Sequence, residues 1–352
     1  MEWVVVATEK SRNSETGGVS VSVIMPAYNA SSLLPQVLPP LIELRDRGEI
    51  SEVLVVDDRS TDDTVQAAEQ MGVRVLVAPV NAGPGAARNL GCEHAVGDVL
   101  WFVDSDVIAR TESAAPIRRA FEDPQVGAIF GSYDDTPQSS YWFSQYKNLL
   151  HHFHHQRGNP DARTFWAGCG AVRKDVFKEV GGFDTDTYQV PSIEDIELGY
   201  RISNAGYRIV LDPEVLCKHL KHWTIPNAIQ TDIFKRALPW ARLMISREGL
   251  TNDLNTGTGE RLRAVLAMVF LLSILALPVI PTIWPVSLFA TILVFAANWS
   301  LFSLFFSRRG LFMAVAAMLY HQIYYVYSAS VFAWCLFEFH VLGRKDKLGV
   351  FK

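Results

Sequence analysis

The chain has 352 residues, enough for a full α/β domain and an appendage, and its 49% hydrophobic and 20% charged residues exclude a disordered polymer. A net charge of −5 excludes a nucleic-acid-binding surface, which needs clustered Lys and Arg. The four cysteines, Cys92, Cys169, Cys217 and Cys335, are scattered without CxxC spacing, which fits a reduced, cytosolic catalytic domain.

The opening MEWVVVATEK has a short apolar run and no basic lead, so no signal peptide is expected, and residues 1–18 read as a mobile lead-in. Beyond it, short apolar runs alternate with helical patterns. Strands are predicted over Val19–Met25, Val53–Val56, Val73–Ala78, Val99–Val103 and Val126–Ser132. Helices are predicted over Leu33–Arg47, from Ser60 as cap with Asp63 in capping-box position to a stop at Gly72, and from Pro84 to Ala95. This alternation predicts an α/β domain with a mostly parallel, doubly wound sheet over 19–225, whose ligands bind beyond the strands' carboxyl ends. Residues 133–225 are less regular and rich in aromatics and His.

Residues 226–260 mix basic and aromatic side chains and are expected to lie as an amphipathic segment at a membrane surface. From Ala264 to Ser307 there are 44 residues without Asp, Glu, Lys or Arg, and a second uncharged stretch runs from Gly310 to Phe337. About 20 apolar residues span a bilayer, so 261–340 is read as a transmembrane region with spans near 264–283, 286–306 and 311–337. Arg261 and Arg263 precede the first span and Arg308-Arg309 follow the second, which puts both clusters, and the catalytic domain, on the cytoplasmic side. The basic tail, 341–352, leaves open whether the third segment crosses fully.

Two acidic clusters fall at predicted strand ends. In Asp104-Ser105-Asp106 an extended backbone points positions i and i+2 to one side, where paired carboxylates can hold a divalent cation bridging a diphosphate. Alone this motif is weak; its place after WFV at a strand end strengthens it. Asp57-Asp58 suits either strand-end capping or a contact to nucleobase or ribose, and spacing does not separate the two. The loop Asn81-Ala-Gly-Pro-Gly-Ala-Ala-Arg88-Asn89 follows the third strand rather than the first and carries Arg88 at the third glycine position, which excludes a dinucleotide fingerprint. Glu194-Asp195 opens a helix, where acids favour the dipole and where a carboxylate can also serve as general base. His219 could complete a metal shell. His151 and His155 share a helix face, but a zinc site there has no third ligand.

In order, VSVIMPAYN, VLVVDDRSTDDT, NAGPGAARNLG, WFVDSD, FWAGCGAVRKDVFKEVGGFD and SIEDIELGYRI resemble the family 2 glycosyltransferases of GT-A fold, over residues 20–222. The resemblance implies a Rossmann-like catalytic domain that uses a nucleotide-sugar, a UDP-sugar above all, with Mg²⁺ or Mn²⁺. It implies that Pro26, Ala27, Tyr28, Asp57, Asp58, Arg88 and Asp104 bind the nucleotide-sugar, and that Asp104, Asp106 and His219 serve the metal. Asp195 matches the catalytic base and Glu194 its acidic neighbour; Gly168, Cys169, Gly170 and Asp184 fall on the acceptor side. The chain departs from the family's processive members, which carry QxxRW: in QTDIFKRALPW, Arg236 and Trp240 are separated by three residues. Arg59 replaces the usual glycine after the paired aspartates.

The expected activity is inverting transfer of a hexosyl group to a hydroxyl of a lipid or lipid-linked acceptor. Its rivals are a polyprenyl-phosphate glycosyltransferase, whose ionised acceptor needs no base, and a non-catalytic membrane scaffold with a degenerate transferase domain.

Overall fold

A computed structural model describes residues 18–249 and 254–344. The lead-in before Gly18 and the lysines of the tail lie outside the described residues. The strands are β1 (Val21–Ala27), β2 (Glu52–Asp57), β3 (Arg74–Val77), β4 (Val99–Val103), β5 (Val107–Ala109), β6 (Val126–Tyr133), β7 (Asp161–Ala162), β8 (Cys169–Arg173) and β9 (Arg208–His219). The first helices are α1 (Leu34–Asp46), α2 (Thr64–Gln70), α3 (Pro84–His94), α4 (Ala114–Ala120), α5 (Trp142–Arg157), α6 (Lys174–Glu179) and α7 (Glu194–Asn204).

All strands join one sheet in the order β3-β2-β1-β4-β8-β6-β9-β5, with β7 paired to β9. The β1–β4 half is parallel, as short βα units demand. The other half is mixed: β6 and β9 run parallel, whereas β8 runs antiparallel to both β4 and β6, and β5 and β7 run antiparallel to β9. The sheet is mixed because β8 returns along β4 from a distant stretch of chain, with Val103 opposite Cys169. Two apolar layers, one on each face, close the core. One holds Val23, Val55, Trp101 and Leu38; the other holds Ile24, Leu54, Phe102 and Phe130. The β1, β2 and β4 strands are buried on both faces, which is why they read as unbroken apolar runs.

Ser60 does not cap α2. Its hydroxyl accepts the Asn29 N–H at 2.9 Å, and α2 starts four residues later, where Asp62 Oδ1 accepts the Thr64 N–H at 3.1 Å. Gly72 ends the helix at φ 72°, as expected.

After β9 the chain runs as one helical stretch, α8 (Ile225–Gln230), π-helical turns over Thr231–Ala237, α9 (Leu238–Leu243) and further π turns to Glu248. Part of the segment expected to lie at a surface packs inside the protein: Leu238, Trp240, Ala241 and Leu243 are buried. They pack against α7 on one side and a C-terminal helix on the other. The buried Arg242 meets Glu338 at 2.9 Å, and Lys147 of α5 meets Asp232 at 2.8 Å.

The C-terminal helices are α10 (Thr258–Ala276), α11 (Trp284–Ala297) and α12 (Trp299–His340), the last broken at Gly310, whose φ of 79° is costly for other residues. The three expected spans become one: among the described residues only α12 is long and apolar enough to cross a bilayer. At about 1.5 Å per residue, the 14 residues of α11 reach only some 21 Å, and α10 begins with Glu260, Arg261 and Arg263 inside the helix. The long apolar helix fits a membrane anchor.

Candidate active site

The carboxyl ends of β1, β2 and β4 meet the start of α3, the start of α7 and the end of β9. Pro26 and Ala27 end β1 buried, and Tyr28 beyond them is 53% exposed at the edge of the cleft. Asp57 accepts the Ser60 N–H, and Asp58 accepts the N–H groups of Ala82 and Gly83 at 3.0 and 2.8 Å. Asp58 therefore holds the glycine loop. With Gly83 at φ 88°, that loop turns sharply into α3 and delivers Arg88.

Arg88 joins the donor side to the putting-in-place of two acids. It is buried, donates to Asp104 Oδ1 at 2.5 Å and approaches Glu194 Oε1 to 3.7 Å. Burial works against its charge, but Asp104, Glu194 and Asp195 outweigh that and raise its pKa. Its Nε and Nη1 make no hydrogen bond among the described residues, so buried donor capacity remains beside Asp104. Glu194 accepts the Ser192 N–H at 2.7 Å, so it supports Arg88 and the turn before α7.

Asp195 is half-buried at the first turn of α7. Its two oxygens accept the N–H groups of Ala167 at 3.1 Å and Ile196 at 2.8 Å. Burial and the neighbouring Glu194 push its carboxyl up to about 7, against the pull of the Ala167 N–H and Arg88. The residue after Ala167, Gly168, accepts the Asp104 N–H at 3.3 Å. One two-residue step of chain thus holds both the Asp195 carboxylate and the Asp104 backbone.

Gly168, Cys169 and Gly170 form that step and the start of β8. A Cβ on Gly170 would lie 2.4 Å from the Trp166 carbonyl oxygen, so the close packing requires glycine there. Asp184 accepts the N–H groups of Asp186 and Thr187, forming its own turn beside Phe183, over whose ring Arg88 lies at 5.4 Å.

The possible metal ligands divide. Asp104 points to Arg88, whereas Asp106 Oδ2 faces His219 Nε2 at 3.4 Å. His219 Nδ1 lies 2.9 Å from Asn148 Oδ1, and the Asn148 amide is oriented by donating to the Ser144 carbonyl at 2.9 Å. Asn148 Oδ1 is thus positioned to accept an Nδ1–H, and Nε2 is the ring nitrogen that faces Asp106. The ring also stacks on Tyr133 at 4.5 Å. Among the described residues no three His, Cys, Asp or Glu side chains converge on one ion. Two protein ligands, an imidazole and a carboxylate, nonetheless suit Mg²⁺ or Mn²⁺, which take remaining ligands from water and substrate phosphates.

Sequence reading had missed Asn148. The available signal was a polar Ser144/Asn148 pair at i, i+4 on a helix face otherwise made of Phe143, Tyr146, Leu149 and Leu150. The zinc reading of His151–His155 does not stand. His151 and His155 stack at 3.9 Å, His155 Nδ1 bonds the Gly131 carbonyl, and burial lowers the His155 pKa to about 3, so the pair is a neutral part of the packing.

Residues 22–181 match the family model described as glycosyl transferase family 2. A pre-mycofactocin glycosyltransferase of Mycobacterium tuberculosis is 30% identical over 226 residues, 59% of this chain and 45% of that protein. The O-antigen chain rhamnosyltransferase of Salmonella typhimurium is 23% identical over 238 residues, 63% of this chain and 74% of that one. The chain spans less than half the length of the mycobacterial relative. A mannosyltransferase from Pyrobaculum calidifontis, solved in complex with GDP-Man and Mn²⁺, superposes with a TM-score of 0.51 at 20% identity, covering 91% of this chain and 88% of that one, and shares its fold. By the matched segment and the sequence likeness, residues 22–181 form a family 2 glycosyltransferase domain.

Proposed function

We propose that the protein moves a sugar, with inversion, from a nucleotide-diphosphate sugar to a hydroxyl of a lipid or lipid-linked acceptor. The observation that carries this reading is Asp195, a half-buried carboxyl raised to about 7 and tied through Ala167-Gly168 to Asp104. A general base works best with a pKa near the working pH. Asp195 takes the acceptor's proton as the hydroxyl oxygen bonds to the anomeric carbon, and the bond from that carbon to the diphosphate breaks with its electron pair leaving on the diphosphate.

On the donor side, Pro26, Ala27, Tyr28 and the Asp57-Asp58 turn border the nucleotide, a UDP-sugar by family preference. Arg88 offers, beside Asp104, the Nε and Nη1 groups that make no hydrogen bond among the described residues. Asp106 and His219 would hold Mg²⁺ or Mn²⁺, with Asp104 on the ribose side. When bound, the ion neutralises charge on the leaving diphosphate. Trp166 to Gly170 border the acceptor, with Asp184 shaping the neighbouring turn.

We infer a cell-membrane protein with a cytoplasmic catalytic domain, a reading supported by the long apolar α12 and by the arginine clusters that flank the apolar segments. Arg308 pairs with Asp135 and Arg309 Nε donates to Gln145 Oε1 at 2.6 Å, so this arginine cluster contacts the catalytic domain. The positive-inside rule supports a cytoplasmic location for basic residues that flank apolar segments.

The test is to incubate purified full-length protein and membranes with labelled nucleotide-sugars, with and without Mn²⁺. Label entering an extractable lipid fraction is expected with the wild type and not with Asp195→Asn. Equal transfer by that variant overturns the base assignment.

A further inference from the structure

The part of α12 beyond Gly310 touches the catalytic half of the chain from one end to the other. Near its start, Met313, Ala314 and Ala317 pack with Phe143 and Tyr146 of α5. The Tyr320 ring meets that of Phe143 at 4.8 Å, and His321 Nδ1 lies 2.9 Å from the Tyr146 hydroxyl. Farther on, Tyr327 donates to Asp232 at 2.8 Å, Cys335 packs on Leu238 and Ala241, and Glu338 meets Arg242 at 2.9 Å. These partners advance along the chain as α12 does, so α12 and the stretch from α8 to Glu248 run side by side in one direction. That stretch is itself fastened to the catalytic domain. Ser192 Oγ donates to the Lys235 carbonyl at 2.9 Å, and Trp240 Nε1 donates to the Tyr200 hydroxyl at 3.1 Å.

These contacts limit the path of α12. From Met313 to Glu338 the helix covers about 38 Å, more than the hydrocarbon core of about 30 Å. Were it to cross, the stretch beside it would sit at the same depths. That stretch carries Asp232, Lys235, Arg236, Arg242, Arg247 and Glu248, and charges at membrane depth are strongly unfavourable. The turn at Gly310 is held as well, because Arg308 pairs with Asp135 and Arg309 with Gln145.

What α12 leaves exposed is narrow and apolar. Phe312, Leu319, Ile323, Trp334 and Phe337 recur at helical spacing as one stripe, with Phe312 84% exposed. The rest of the apolar surface belongs to α10 and α11. They form a hairpin whose feet are joined, Arg263 Nε donating to the Ala297 carbonyl at 3.0 Å, so it returns to the side it leaves. Both limbs and the tip expose apolar side chains, Val265, Leu272, Val279 and Phe289 among them. A protein partner covers one side of such a hairpin and leaves a polar rim. This one has no charged residue from Ala264 to Ser307, which suits acyl chains instead.

We propose that the protein enters the bilayer from one side only. Helix α12 lies along the membrane surface with its Phe312–Phe337 stripe in the acyl chains. The α10–α11 hairpin dips in and returns, and Arg344 stays on the catalytic domain's side. The inference goes beyond the transfer reading and does not depend on it.

The four native cysteines are buried, so single reporter cysteines can be added to the full-length protein. Gln70→Cys marks the catalytic domain and Arg344→Cys the far end of α12, both at exposed positions. In sealed vesicles treated with a membrane-impermeant maleimide, the two reporters should label to the same extent, whichever way the vesicles face. Labelling of Arg344→Cys where Gln70→Cys is protected means that α12 crosses, and overturns the proposal. Nitroxides attached at Phe312→Cys, Ile323→Cys and Phe337→Cys report depth through their relative relaxation by oxygen and by a water-soluble nickel complex. Similar depths of about 5–10 Å are expected at all three. A profile that is shallow at both ends and deep at Ile323 overturns the proposal. Shielding from both oxygen and nickel also overturns it, assigning the stripe to a second copy of the chain. Protein recovered free of membrane defeats the membrane reading instead, a result that no labelling pattern of membrane-bound protein can imitate.

Discussion

The Asp195 carboxylate accepts the Ala167 N–H at 3.1 Å, and this contact ties the first turn of α7 to the residue that precedes the Gly168 partner of Asp104. A base held this way keeps its orientation without a side-chain partner that would neutralise it. Burial and Glu194 then raise its pKa to about 7. Asp195→Asn keeps the shape and an acceptor oxygen but cannot take a proton, so turnover should fall by about 10²–10⁴-fold with donor affinity nearly unchanged. In the wild type, kcat/KM should rise tenfold per pH unit below about 7 and level off above it. A pH–rate profile flat from pH 5 to 8 would remove Asp195 from the role.

The same shift makes a stability prediction of opposite sign to the usual carboxylate. A folded-state pKa above the unfolded value means that ionisation opposes folding. The penalty is absent below about pH 4 and complete above about pH 7, with an upper bound of roughly 4 kcal/mol from three pKa units. Asp195→Asn should therefore raise Tm at pH 8 and leave it unchanged at pH 4. Melting curves at the two pH values check this, and a lower Tm at pH 8 would count against the raised pKa.

His219 depends on Asn148. The Asn148 oxygen is placed to accept a hydrogen bond from Nδ1–H, which leaves Nε2 facing Asp106. Replacing a hydrogen-bond partner of a metal-binding histidine lowers metal affinity by about 10–100-fold. Asn148→Leu should weaken Mn²⁺ binding, measured by paramagnetic resonance in the presence of UDP or GDP, by that factor, and Asn148→Gln should recover part of it. Mn²⁺ affinity equal to wild type in Asn148→Leu would show that the amide does not orient the ring.

The parallel half of the sheet could be read from the chain because β1, β2 and β4 are buried on both faces and so appear as apolar runs ended by turn residues. The acids at their carboxyl ends came with them. The reversed half could not, because the pairing of Val103 with Cys169 joins residues far apart and leaves no local pattern. Ser60 was misread for a similar reason: its partner, Asn29, lies on another loop. In Asp58 the spacing left capping and ligand contact open, and the structure shows both oxygens occupied by the glycine loop. The helix over 225–248 looked amphipathic, yet much of its apolar face packs against protein, with Asp232 and Arg242 buried in ion pairs with partners from α5 and α12.

Gly170 lies on the acceptor side and has no room for a methyl group, since a Cβ would sit 2.4 Å from the Trp166 oxygen and 2.7 Å from the Phe165 ring. Overpacking a core position costs about 1–3 kcal/mol, and more when the obstacle is backbone. Gly170→Ala should lower thermal stability by that order and displace the Trp166–Gly168 segment, reducing transfer beyond the loss of folded protein. Gly181→Ala provides the contrast: a Cβ there meets nothing within 4 Å, and only its φ of 85° opposes the change. Specific activity of the folded fraction separates the two, and equal activity in both variants would show that the Trp166–Gly168 segment does not govern transfer.

The junction between the catalytic domain and the C-terminal helices depends on Lys147 and Asp232, a buried pair at 2.8 Å whose carboxylate also accepts the Tyr327 hydroxyl at 2.8 Å. Removing one member leaves an uncompensated buried charge, which typically destabilises by about 3–5 kcal/mol, whereas replacing both with apolar residues of similar size is often close to neutral. Asp232→Leu should therefore lower Tm in detergent sharply, and Lys147→Met with Asp232→Leu should recover most of the loss, leaving the cost of the unpaired Tyr327 hydroxyl. Because Lys147 belongs to α5, which also carries Asn148, the single variant should weaken Mn²⁺ binding as well, and the double variant should restore it. Destabilisation that is additive in the double variant would mean that the two side chains act independently, and that the helical stretch is held to the catalytic domain by its apolar contacts alone.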